Sequence, residues 1–265
     1  MKTIVITGST RGIGLGMAEE FLQRGHQVVI SGRSQADVDR VAAGLRDRYP
    51  GELIFGKACD VTDFAQVQAL WDAGQTHFGW VDIWINNAGQ AHALSDFWDL
   101  PIEQIESIVR VNVIGQMYGV KTAVTGMLKQ GGGAIYLMEG QGANGRIVNG
   151  LTLYGATKRA TNFLFEALVE ELKDTPVIAG SLSPGMVVTD LLTVQREADP
   201  ETWERNKRIF NILAEKVETV APQLAEQILT NHANGRQIRL LGRGQVIWRF
   251  LTAPFNRRDL FAGED

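Results

Sequence analysis

Apolar runs of strand length alternate with longer amphipathic stretches from one end of the chain to the other. That alternation belongs to parallel strands separated by helices that cover both faces of a sheet. The pattern predicts strands over Thr3–Thr7, Gln27–Ser31, Leu53–Ala58, Asp82–Asn86, Ala134–Met138, Val177–Ser181 and Gln237–Leu241. Between them it predicts helices over Ile13–Arg24, Gln35–Tyr49, Asp63–Phe78, Ile102–Gln130, Thr152–Lys173 and Ala221–Ala233. The fold class that follows is α/β: one domain over residues 1–242 with a doubly wound, parallel, seven-stranded sheet, then a tail over 243–265. The stretch Gly185–Thr219 stands outside the repeat, and insertions at such a place cover clefts.

Composition narrows the partners. The chain has 265 residues, 45% hydrophobic and 21% charged, which is enough for one sizeable core. A net charge of -4 leaves no footprint for a polyanion, so no nucleic-acid partner is expected. One cysteine, Cys59, forms no intramolecular disulfide and cannot alone build a zinc site, so no metal centre is expected. The strand pattern begins almost at Met1 and no apolar run reaches membrane-spanning length. The expectation is a soluble cytoplasmic protein without a signal or transit segment.

The first strand runs into Thr7-Gly8-Ser9-Thr10-Arg11-Gly12-Ile13-Gly14 and then into a helix. Glycines at 8, 12 and 14 let the backbone turn tightly and approach a pyrophosphate, whose charge sits against free N–H groups at the helix start. Ser9, Thr10, Arg11 and Ile13 line the same loop, so a Rossmann-type cofactor site is predicted. The second strand ends in Gly32-Arg33, with no carboxylate to receive a ribose 2′-hydroxyl. A guanidinium can instead pair with a 2′-phosphate, so Arg33, helped by Arg11, points to NADP(H). After the third strand, Asp60, followed by Val61, suits a hydrogen bond from an adenine amino group, or else it caps the helix ahead of Asp63. Asn87, Ala88 and Gly89 form a small turn after the fourth strand that can lie flat against the cofactor.

Tyr154 and Lys158 are four residues apart in a predicted helix and so share one face. Hydride transfer to a carbonyl needs a proton donor at the oxygen, and a phenol of pKa about 10 is a weak base for the reverse step. A neighbouring ammonium is expected to lower that value, and Lys158 can also reach a ribose hydroxyl. Asn112 lies within the helix predicted after the fourth strand. There it either holds a water that relays protons through Lys158 or satisfies a backbone carbonyl. After the sixth strand, Pro184, Gly185, Val187 and Thr189 fit a loop beside a nicotinamide, or a Pro-Gly turn and helix cap.

The ordered set TGSTRGIG, CDV, NNAG, Asn112, Tyr154-x-x-x-Lys158 and SPGMVVT resembles the short-chain dehydrogenase/reductase family over nearly the whole chain. The resemblance implies that Asn112, Tyr154 and Lys158 are catalytic. It also implies that the glycine loop, Arg33, Asp60, Asn87 and Thr189 contact the cofactor, and that the protein is a homodimer or homotetramer. The family normally has a serine between the fifth strand and the tyrosine to hold the substrate oxygen, yet no serine occurs from Gly131 to Tyr154. DIWINNAG, the acidic residue and glycines around Glu139–Gly145, YGATKR, LSPGMVVTDLL and NILAE are similar to the chlorophyll b reductase branch. That branch also has an acidic residue in place of the serine, and it reduces a formyl group to a hydroxymethyl group.

The implied function is NADP(H)-dependent reduction of an aldehyde or ketone, with a bulky formyl compound among the candidate substrates. The missing serine leaves two other readings: a catalytically silent NADP-binding regulator, or a dehydratase or epimerase on the same fold. Glu139 is the candidate replacement, as a protonated carboxyl donating to the carbonyl oxygen. Alternatively an ionised Glu139 caps backbone amides while Gln141 or a water meets the substrate. The tail interleaves Arg239, Arg243, Arg249, Arg257 and Arg258 with Trp248, Phe250, Phe255 and Phe261. It is expected to pack on the domain or on a neighbouring subunit, to cap a large substrate, or to touch a membrane surface.

Overall fold

The computed structural model describes residues 1–189, 200–253, 255, 256 and 258–261, without the side chains of Thr202 and Arg243. Its seven strands are β1 (Thr3–Ile6), β2 (Gln27–Gly32), β3 (Ile54–Ala58), β4 (Ile83–Asn86), β5 (Gly133–Met138), β6 (Val177–Ser183) and β7 (Arg236–Arg239). They form one sheet in the order β3-β2-β1-β4-β5-β6-β7, and every neighbouring pair is parallel. The predicted fold class therefore holds, with strand ends within two residues of those predicted.

Register explains why the central strands are apolar on both faces. Val5 pairs with Val29 and Trp84, Trp84 with Ile135, and Ile135 with Ala179, a row that lies in one buried cluster. The next row, Ile6 with Ile30 and Ile85, and Ile85 with Tyr136, lies in the other cluster. Side chains alternate across a strand, so each central strand feeds two cores, whereas the edge strand β7 buries only Ile238 between exposed Arg236 and Arg239. Helices α1 (Gly12–Gln23) and α2 (Gln35–Arg46) cover the second cluster with Met17, Phe21, Val41 and Leu45. Helices α3 (Phe64–Phe78), α5 (Gly115–Gln130) and α6 (Thr152–Glu171) cover the first with Leu70, Trp71, Met127 and Phe165.

Two predicted helices need correction. The stretch predicted as one helix over Ile102–Gln130 is α4 (Ile102–Val109) and α5, joined by a π turn over Arg110–Ile114. The Asn112 side chain is drawn to the Gln90 backbone there, and the extra residue of the wider turn permits it. The last predicted helix, Ala221–Ala233, is α8 (Val217–Leu229), displaced towards the N-terminus. Two helices were not foreseen. Helix α7 (Pro200–Leu213) lies in the stretch outside the repeat, and α9 (Arg243–Thr252) lies in the tail.

The tail lies on α7 and the segment after it. Arg249 donates to the Leu213 carbonyl at 3.0 Å and pairs with Glu215, which also takes Arg258 at 2.8 Å. Phe261 is buried edge-on to Trp203, with ring centroids 5.0 Å apart. Ile247, Trp248, Phe250, Leu251 and Phe255 remain exposed. Arg257 and the side chain of Arg243 lie outside the described residues. Among the described residues no helix is long and apolar enough to cross a membrane.

Candidate active site

Strand order reverses between β1 and β4, and ligands of such sheets bind outside the strand ends at that crevice. The loops after these two strands touch. Gly8 takes φ +64°, a conformation that strains any side chain, and a Cβ there would press on the Ala88 Cα at 3.0 Å. The Asn87 amide nitrogen donates to the carbonyls of Thr7 and Gly8, 2.9 Å each, while the Thr7 hydroxyl accepts from the N–H groups of Asn87 and Ala88. Ser9 is fully buried and ties the loop to β2 through Ser31. Thus Asn87 and Ser9, expected to touch the cofactor, hold the glycine loop itself. Helix α1 begins at Gly12 with no side-chain cap and no acidic residue in its first turn. Its N–H groups and positive dipole end are what a diphosphate needs. Thr189 lies over this helix start, 3.5 Å from where a Cβ on Gly12 would be.

Further along the same edge, Arg33 is exposed immediately after β2, and Thr10 packs on Gly32. Asp60 does not cap α3. Its Oδ1 accepts from the backbone N–H and hydroxyl of Thr62, whereas Asp63 caps the helix by accepting from Ala65 and Gln66. Val61 is buried against Gly115 and belongs to the core. The loop after β6 pairs with the strap before α8: Glu215 N–H donates to the Met186 carbonyl, and Val188 N–H donates to the Glu215 carbonyl. Val187 and Pro184 are buried in it, and Gly185 takes φ +82° against Leu241.

Tyr154 and Lys158 sit one turn apart on α6, both nearly inaccessible, with the ammonium 5.6 Å from the centre of the phenol ring. The lysine Nζ donates to the Met138 carbonyl at 3.1 Å and lies near Gly89, in the turn after β4. Burial lowers the Lys158 pKa to about 8, against an opposing effect of the Glu139 charge. In place of the lowering expected from Lys158, burial pushes the Tyr154 phenol up, because desolvation disfavours a phenolate. Asn112 is fully buried; its carbonyl oxygen accepts from Gln90 N–H at 2.8 Å and its amide donates to the Gln90 carbonyl and the Thr157 hydroxyl. The amide thus braces the turn beside Lys158.

At the end of β5, Glu139 is buried and its Oε1 accepts from Asn162 Nδ2 at 3.3 Å. Gln141 is exposed. It is Gly140 that faces the phenol, since a Cβ there would lie 2.4 Å from the Tyr154 oxygen. Gly140 belongs to the glycine-rich stretch after β5, where nothing local marks it as the phenol's neighbour, while Asn162 lies one turn beyond Lys158 on α6, a spacing that puts the two on one face.

A glycine loop at the switch point, a bare helix start and a buried Tyr–Lys pair converge on one edge of the doubly wound sheet. Residues 2–200 match the short chain dehydrogenase family, and the chain belongs to it. It is 38% identical over 237 residues to Chlorophyll(ide) b reductase NOL of Arabidopsis thaliana, covering 88% of this chain and 66% of that protein. It is 31% identical over 272 residues to the probable chlorophyll(ide) b reductase NYC1 of the same plant, covering 97% of this chain and 54% of that one. The chain therefore spans between about half and two thirds of the length of these relatives. A 3-ketoacyl-(acyl-carrier-protein) reductase from Brucella melitensis, solved with NADH, superposes with a TM-score of 0.76 at 28% identity, covering 90% of this chain and 96% of that chain. The cytoplasmic placement expected above is overturned, because the plant relatives are chloroplastic proteins.

Proposed function

We propose that this protein is an NADP(H)-dependent reductase of an aldehyde or ketone, with Tyr154 as general acid. The observation that carries the reading is the burial of Tyr154 and Lys158 side by side, within the same edge as the uncapped start of α1. Burial keeps the phenol protonated through neutral pH, the state needed to give a proton to a developing alkoxide. Bound NADPH would supply the hydride. The bare amides of α1 suit its diphosphate, Lys158 near Gly89 suits a ribose hydroxyl, and Arg33 after β2 suits the 2′-phosphate. Asn112 supports the step by holding the Gly89–Gln90 turn against Thr157 and α6. The similarity to chlorophyll(ide) b reductases makes chlorophyllide b the first substrate to try.

The test is NADPH oxidation by the purified protein with chlorophyllide b, small aldehydes, ketones and steroids. Consumption should require a carbonyl compound and fall about 10²-fold or more in Tyr154→Phe, with NADPH binding retained. Turnover that survives the substitution, or no consumption with any carbonyl, overturns the reading.

A further inference from the structure

The end of β5 and the face of α6 meet in three successive rungs. Met138 offers its carbonyl to Lys158 at 3.1 Å, Glu139 offers a carboxylate oxygen to Asn162 at 3.3 Å, and Gly140 opposes the Tyr154 hydroxyl. Arg159 extends the middle rung outward, donating to the Asn162 side-chain oxygen at 2.7 Å and to the Ala143 carbonyl at 3.0 Å. Because Arg159 occupies the amide oxygen of Asn162, the amide presents N–H to Glu139, whose Oε1 accepts it. Glu139, Lys158 and Asn162 are at most 5% exposed, so an acidic and a basic side chain share a dry interior. Among the described residues they make no direct ion pair. Each is anchored to a different neighbour, and their charges act on one another through space.

Resting on the Tyr154–Lys158 reading above, we propose that Glu139 is a positioning residue acting through Lys158. Held by Asn162, which Arg159 braces, its carboxylate keeps the lysine charged beside Tyr154 and does not touch the substrate. This departs from the donor role weighed from the sequence. A donor to a carbonyl would have to turn a proton to the cleft, whereas the Glu139 Oε1 accepts from Asn162 of α6. The charge it supports is the one at risk. Burial drives Lys158 towards neutrality and Glu139 opposes it. The groups facing Glu139 are Lys158 and Asn162 of α6, with Arg159 held on the far side of Asn162 and the Leu182 carbonyl of β6 accepting the Glu139 backbone N–H at 2.8 Å.

The experiment reads the lysine directly, by following the NMR resonance of the Lys158 ε-carbon in the full-length unliganded protein carrying isotopically labelled lysine, assigned against Lys158→Arg, across neutral to alkaline pH. The titration midpoint should lie near 8 in the wild type. It should fall by about one pH unit or more in Glu139→Gln and in Glu139→Ala, and stay near the wild-type value in Glu139→Asp. The alkaline limb of kcat/KM should move to lower pH by the same amount in the first two variants, with KM for the carbonyl compound nearly unchanged. An unmoved titration midpoint in both neutral variants overturns the proposal. So does a raised KM with an unmoved limb, the result for a group that holds substrate. The titration needs no turnover, so absence of reductase activity would count against the proposed function alone.

Discussion

The hydroxyl of Tyr154 stands where a side chain on Gly140 would have to be, 2.4 Å from an ideal Cβ. No real Cβ tolerates that approach, so the phenol and the glycine have one joint solution. Gly140→Ala should displace the phenol and lower turnover about 10²-fold, the cost of a misplacement near 1 Å, while NADPH affinity holds. Gly140→Ser should be no better, even though it restores the residue type that relatives with the usual pattern place in this loop. Steady-state rates and fluorescence titration with NADPH decide it; a Gly140→Ser variant faster than wild type would show that the close approach is not required.

Arg33 stands exposed immediately after β2, where the cofactor's ribose is expected. Charge-assisted contacts of this kind are worth about 1.5–3 kcal/mol, so Arg33→Asp should weaken NADPH binding about 10- to 100-fold and improve NADH binding. Binding isotherms for both cofactors check it. Equal affinity of the wild type for the two would remove Arg33 from the site.

Lys158 has a stability signature with a definite sign. Its pKa falls from an ordinary 10.5 to about 8 in the folded chain, so between those values the unfolded chain holds more protons and stability rises with pH. Relative to Lys158→Met, the wild type should therefore gain about 3 kcal/mol as pH rises from about 8 to 10.5. Urea denaturation of both proteins at a series of pH values measures the difference, and a difference independent of pH would mean that the ammonium is solvated.

Cys59 is buried and its thiol is pushed up to about 12, first by desolvation and then by Asp60 and Asp63. A thiolate is the reactive form, so iodoacetamide should leave the native protein unlabelled and modify Cys59 fully only after denaturation. Rapid labelling under native conditions would contradict the burial.

Much of this arrangement was legible along the chain because it is local. Buried central strands must be apolar on both faces, so apolar runs announced them, and Thr7–Gly14 and Tyr154-x-x-x-Lys158 carry their geometry within a few residues. What escaped depends on partners far apart in sequence. Asn112 opens its helix because Gln90, on another loop, supplies both a donor and an acceptor. Glu139 turns to Asn162, and the tail lies down because Glu215 takes Arg249 and Arg258. Even the local choice between Asp60 and Asp63 as a helix cap was settled by Gln66, which occupies the N–H of Asp60 and donates to Asp63.

The π turn over Arg110–Ile114 has a consequence for how this site can be gained or lost. A π turn closes one residue later than an α turn, so α4 and α5 are out of phase by the angle one residue carries, about 100°. Removing a single codon within the segment would splice the two into one continuous rod with an uninterrupted ladder. It would also turn Asn112 away from Gln90 and release the loop beside Lys158. The more regular helix and the braced site are thus separated by one step in length. A library of point substitutions never samples that step, and an in-frame deletion makes it at once.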